Sequence, residues 1–155
     1  MEIKSYRRRE MEREIIDGEG LILGRLASSV AKKLLNEKDT EIVIVNAERV
    51  VISGSKERIF KDYKEKKDRG SREKGPFYPK MPDRIVKRTI RGMLPYKQAK
   101  GREALSRVKV YLGIPSEYGT VVRKKVEDAG AERLSRKYVT IGEVSEKLGW
   151  VAKQR

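Results

Sequence analysis

Residues 15–45 read IIDGEGLILGRLASSVAKKLLNEKDTEIVIV, and their patterning decides the fold class. Ile15-Ile16-Asp17 is a short strand running into the turn signal Gly18-Glu19-Gly20. From Gly24 to Asn36, Leu26, Ala27, Val30, Ala31, Leu34 and Leu35 recur at helical spacing, with Lys32 and Lys33 on the rim. Ile42-Val43-Ile44-Val45 is a continuous β-branched run, the mark of a strand covered on both faces. Strand, helix and strand at this spacing make a βαβ unit and predict parallel pairing.

Upstream, residues 1–14 form a charged arm holding Arg7, Arg8 and Arg9 together with four glutamates. Downstream, Ser55 suits the N-cap of a helix through Ile59, Phe60 and Tyr63. Residues 61–80 read as a basic loop ending in Gly75-Pro76-Phe77-Tyr78-Pro79. A helix from about Asp83 to Leu94 stops at Pro95, and a shorter one over Ala99–Arg107 leads into the strand Val108–Leu112. After Pro115 the pattern is irregular until a last strand at Tyr138-Val139. Thr140 to Glu143 has capping-box spacing and opens a helix with Ile141, Val144 and Leu148 on one face. Gly149 ends that helix, and Trp150 can fold back on it. There is no internal repeat.

The 155 residues suit one domain with extensions, and only 37% are apolar while 39% are charged. The core is therefore small under a large charged shell. The 38 Lys and Arg exceed the 23 Asp and Glu by 15, a self-repelling excess that points to a polyanionic partner, nucleic acid above all. A membrane surface would need an apolar-faced helix or a lipidation signal, and the sequence offers neither. The first residues are too charged and acidic for a signal peptide, so a soluble, intracellular protein is expected. With no Cys and no His, disulfides and thiolate or imidazole metal sites are excluded. Asn and Gln are down to two each, which together with the charge content fits a heat-adapted proteome.

Residues 84–107 carry the strongest functional signal: eight cations against one acid, Glu103. Arg84, Lys87, Arg88 and Arg91 fall within an arc of ~100° on their helix, while Ile85, Val86, Ile90, Met93 and Leu94 cover the rest. That places a row of cations one turn apart on a rigid element, suited to tracking phosphates. A merely solvated face would mix signs. Residues 61–80 add eight cations, diluted by four acids, and interleave them with Tyr63, Phe77 and Tyr78. Those rings suit stacking on unpaired bases, or pinning the loop to the core. Candidate RNA contacts are thus Arg84, Lys87, Arg88, Arg91, Lys97, Lys100, Arg102 and Arg107, with Arg69, Arg72, Lys74 and Lys80 in the loop.

Gly20-Leu-Ile-Leu-Gly24-Arg25-Leu26 joins a strand to a helix as a phosphate-binding loop does. It lacks the four-residue spacing and the Lys-Ser/Thr that such a loop needs, so Leu21-Ile22-Leu23 is expected to pack into the core and Arg25 to make a structural or RNA-backbone contact. Asp17 lies at the strand edge where α/β sheets bind ligands, but no second acid accompanies it, and a turn aspartate is the plainer reading. No catalytic site, cofactor, metal or small-molecule substrate is expected.

Leu23-Gly-Arg-Leu-Ala-Ser28, Val45-Asn-Ala-Glu-Arg-Val50, Arg91-Gly-Met-Leu-Pro95 and Val108-Lys-Val-Tyr-Leu-Gly113 stand in one order and spacing. In these motifs, over roughly residues 15–115, the chain resembles the universal large-subunit ribosomal protein L-thirteen family. Gly75-Pro-Phe77, Gly113-Ile-Pro115 and the run Val139–Trp150 resemble its archaeal and eukaryotic branch. The resemblance implies a three-layer α/β/α fold on a four-stranded, mostly parallel sheet with basic loop and helical excursions. Residues 15–115 would be the core domain and 116–155 a C-terminal extension packed on it. It also implies a structural, assembly-supporting role in the cytoplasmic large ribosomal subunit, with ribosomal RNA and neighbouring ribosomal proteins as partners. The family's basic helix and following loop contact RNA, which by position are Arg84, Lys87, Arg88, Arg91, Lys97, Lys100 and Arg102 here. Some members carry a histidine after Gly-Pro-Phe, where this chain has Tyr78-Pro79-Lys80, so no imidazole contact carries over. The competing readings are a free-standing RNA-binding regulator, separable by co-sedimentation with ribosomes in high salt, and an RNA-processing or nucleotide-dependent enzyme, separable by turnover.

Overall fold

The computed structural model describes residues 11–153. Of the expected charged arm, residues 1–10 lie outside the described residues, and residues 12–14 open the first strand. β1 (Glu12–Asp17), α1 (Leu23–Asn36) and β2 (Thr40–Val45) form the predicted parallel βαβ unit, in which Ile15 lies opposite Val43 and Ile16 opposite Ile44. β2 is buried along its whole length. β4 (Val108–Val110) pairs parallel to its other side, giving a sheet in the order β1-β2-β4.

Among the described residues that sheet has three strands, where four were expected. Tyr138 and Val139 do form a strand, β5 (Tyr138–Thr140), but it pairs antiparallel with β3 (Val51–Ser53), a strand the sequence reading missed. At the outer edge of β1 the fourth position is one residue long: Lys124 accepts from the amide of Asp17 and donates to Ile15. A strand edge flanked by Arg123, Lys124 and Lys125 resists further pairing, because charged side chains discourage it.

Among the described residues, no second layer of helices covers the other face of the sheet. Buried residues of all five α-helices join Ile16, Ile42 and Ile44 in one core. The opposite sheet face, with Ile15, Val43 and Val45, is covered by Tyr118 and Tyr111, whose rings lie 5.9 Å apart. The chain there follows Pro115 into a single 3-10 turn, which is enough to bury so narrow a face.

α2 (Lys56–Asp68) corrects a second expectation, since residues 61–68 are helical. The sequence has no Gly or Pro between Lys56 and Arg69, and Tyr63 is buried one turn after Ile59. Ser55 precedes the helix in extended conformation without a side-chain capping bond. α3 (Pro82–Met93) and α4 (Ala99–Ser106) stand close to their expected bounds. Thr140 caps α5 (Ile141–Lys147) by accepting from the Glu143 amide at 3.3 Å, and beyond Gly149 the Trp150 amide donates back to Ser145. None of the described helices is long and apolar enough to cross a membrane.

Across the sheet, Glu41 on β2 takes an ion pair from Lys109 at 2.7 Å and another from Arg13 at 3.4 Å. The Lys109 hydrogen bond, with the charges of Lys109 and Arg13, holds its carboxyl below the usual carboxylate range despite burial. A depressed folded pKa stabilises fully above the unfolded value, 4.5, and is lost as pH falls through the folded one. Glu41→Gln should therefore melt below wild type at neutral pH. The gap should close as pH drops below that range in a melting series, and a gap independent of pH would refute the assignment.

Candidate nucleic-acid interface

α3 begins with Pro82 at its first turn, where the missing amide costs nothing. Ile85, Val86 and Ile90 are fully buried, and Thr89 turns its hydroxyl back to the Ile85 carbonyl. Arg84 and Lys87 are exposed, whereas Arg88 and Arg91 are half-buried. The predicted division of faces holds except at Met93, which is exposed because the helix ends there and the chain turns at Leu94, buried in its place.

Two of the cations rest on aromatic rings. The Arg88 guanidinium lies 4.8 Å from the Tyr78 ring centroid, and that of Arg91 lies 5.0 Å from Tyr96. From α2, Lys66 approaches Tyr63 at 4.7 Å and Tyr78 at 5.9 Å. A ring holds a cation in place without neutralising it, so the charge stays available to an anion. Tyr78 packs edge-on against Tyr63, with centroids 6.0 Å apart, and burial pushes both phenols up. Tyr78 thus pins the loop, while Phe77 beside it is 70% exposed.

The loop after α2 is built by glycines. Gly70 has φ +85°, and a Cβ there would meet the Gly75 carbonyl oxygen at 2.0 Å, so only glycine fits. Ser71 and Gly75 exchange backbone hydrogen bonds across the tip, leaving Arg69, Arg72, Lys74 and Lys80 exposed around it. In α4, Gly101 lies under the Pro95 carbonyl, where a Cβ would come within 2.0 Å. That contact fixes Lys97, Lys100 and Arg102, all exposed, against the end of α3.

Among the described residues, none of these exposed or ring-held cations pairs with an acid. The paired ones are elsewhere: Lys33 and Lys124 with Glu14, Arg49 with Glu19, Lys56 with Glu143, Arg133 with Asp128, Lys109 and Arg13 with Glu41. The loop and helix signals, separate in sequence, meet at a cleft where Lys66, Arg69 and Arg88 converge. Lys66 was missed; its spacing from Tyr63, three residues along a helix, was the available signal.

Arg107 must be withdrawn from the candidate contacts. It is buried, and its guanidinium donates to the carbonyls of Leu34 at 2.8 Å, Glu37 at 2.6 Å and Thr40 at 3.0 Å. A cation at the C-terminus of α1 answers the helix dipole and its orphan carbonyls. The charge count could not show that this arginine points inward.

The amides of Gly20, Leu21 and Ile22 donate to Arg49, Gly18 and Ala129, and Leu21, Ile22 and Leu23 are buried as expected. Arg25 donates to the Asp128 carbonyl at 3.0 Å, a structural contact. Asp17 makes the expected turn, accepting from the Glu19 amide and from the Asn46 side chain.

A family model described as ribosomal protein L13 matches residues 12–117. Proteins named large ribosomal subunit protein uL13 are similar over most of the chain. That of Methanosarcina barkeri is 58% identical over 136 residues, covering 87% of this chain and 96% of that protein. That of Archaeoglobus fulgidus is 53% identical over 138 residues, 88% of this chain and 87% of its own length. That of Methanopyrus kandleri is 45% identical over 139 residues, 88% and 86% of the two.

Proposed function

Because the chain belongs to the ribosomal protein L13 family, we infer that it is a structural constituent of the large ribosomal subunit, not an enzyme, and that ribosomal RNA is its principal partner. The observation that carries the RNA contact is the set of cations on α3, around α4 and in the 69–80 loop, none of which makes an ion pair among the described residues. Arg84, Lys87, Arg88 and Arg91 on α3, Lys97, Lys100 and Arg102 around α4, and Arg69, Arg72, Lys74 and Lys80 in the loop are the residues read as contacting phosphates. Residues 15–115 are read as the core that presents them. The segment 116–155 is read as an extension fastened to it, supported by the bonds of Lys124 to β1 and of Ala129 to Ile22. Neighbouring large-subunit proteins are the remaining expected partners.

Binding to large-subunit ribosomal RNA should depend steeply on salt. If ~6 phosphates are contacted, log K should fall against log salt with a slope of about −4 to −5, because condensed counterions are released. Filter binding across a salt series measures it, and a slope near zero would remove the electrostatic basis of this reading.

A further inference from the structure

The cleft between the end of α2, the loop that follows and α3 has a composition that a duplex backbone would leave half idle. We propose that it takes one unpaired nucleotide of RNA, with the phosphate on Lys66 and Arg69 and the base laid against Arg88 where Tyr78 backs it. The proposal rests on the RNA-binding reading above and names what one part of that surface recognises.

The cleft is an open groove of about 430 Å³, and no acid lines it. Its cations are Lys66, Arg69 and Arg88, and its apolar wall is Pro76 with Tyr78. Arg88 is held by a chain of rings rooted in the core, since Tyr78 lies under its guanidinium and the buried Tyr63 braces Tyr78 edge-on. A planar guanidinium fixed in this way is a stacking platform for a base as well as a donor to phosphate. Gly92 also lines the cleft, and nothing lies within 4 Å of where its Cβ would stand, so a ribose or base can approach the last turn of α3.

An A-form duplex presents phosphates outside and keeps its bases stacked within, which would engage the cations and leave the apolar wall unused. An extruded nucleotide uses both. The neighbouring cleft beside Arg84 and Lys87 is a poorer candidate, because Asp83 lines it and its Lys109 is already paired with Glu41.

The test combines binding and crosslinking of the full chain with large-subunit ribosomal RNA. Arg88→Lys keeps the charge and loses the platform, so it should weaken binding about tenfold or more with the salt slope unchanged. Tyr78→Leu removes the ring under the guanidinium and should resemble Arg88→Lys. Ultraviolet crosslinks to residues 66–92 should carry a nucleotide that is unpaired in the RNA. Arg88→Lys binding within about twofold of wild type overturns the proposal, since phosphate contact alone tolerates lysine. Crosslinks in this segment confined to base-paired nucleotides overturn it as well. Should Tyr78→Leu fail to fold, Arg88→Lys and the crosslinks still decide. Wild type that does not bind the RNA at all defeats the broader reading and the cleft with it. Wild type that binds, with Arg88→Lys unaffected, defeats the cleft alone.

Discussion

Arg107→Met is expected to destabilise the protein by about 3–5 kcal/mol while leaving RNA affinity of the folded fraction unchanged. Methionine fills much of the volume but leaves the carbonyls of Leu34, Glu37 and Thr40 without the donors they now share. Charge-assisted hydrogen bonds of this kind are each worth about 1.5–3 kcal/mol, and buried carbonyls stripped of partners cost about 1–3 kcal/mol, without simple additivity. The same residue ties the start of β4 to the end of α1, so its loss loosens the β2–β4 pairing that begins at Val108. Arg107→Lys should recover only part, because one ammonium cannot match the span of a guanidinium fork. Urea denaturation gives the stability and filter binding the affinity. Unchanged stability with a large loss of RNA binding would return Arg107 to the interface.

Ile90→Ala should cost ~2–5 kcal/mol by emptying core volume, and the double variant Arg84→Glu with Lys87→Glu should cost almost none. Ile90 is fully buried on α3, whereas Arg84 and Lys87 are exposed and gain a residue of similar helix propensity. Binding should divide the other way. The double variant should flatten the salt slope by about two and fail to enter large subunits, while Ile90→Ala binds normally as long as it stays folded. Arg88 and Arg91 suit this comparison less well than their place on the cationic arc suggests. Each is half-buried on a tyrosine, so reversing its charge also disturbs packing. Melting curves and subunit incorporation decide the matter, and an early-melting double variant beside an unaffected Ile90→Ala would invert the assignment of faces.

Local signals were legible where one element carried them. The elements of the βαβ unit, the caps of α5 and the division of α3 into apolar and cationic faces follow from periodicity and capping chemistry along single elements. The end of α2 was not read because its charges look like those of a loop. Nothing within residues 61–68 breaks a helix, and the helix is held by packing on α5 and β5, which are distant in sequence. Where the last strand pairs was not legible, because pairing is a long-range choice. Tyr138–Thr140 found its partner at Val51–Ser53, and the β1 edge was left with a single residue at Lys124.

By itself, then, the sequence determined the parallel sheet, the charge excess, the absence of imidazole and thiol chemistry, and which helix presents cations, since each is set by residue type or by spacing along one element. Only the tertiary structure decided which cations face outward. Arg107 was drawn in by the orphan carbonyls of α1, while Lys66, Arg69 and Arg88 were brought together from two helices around Tyr78. Charge is a property of the chain, but its direction depends on which buried polar groups elsewhere need a partner, and contacts between distant segments settle that.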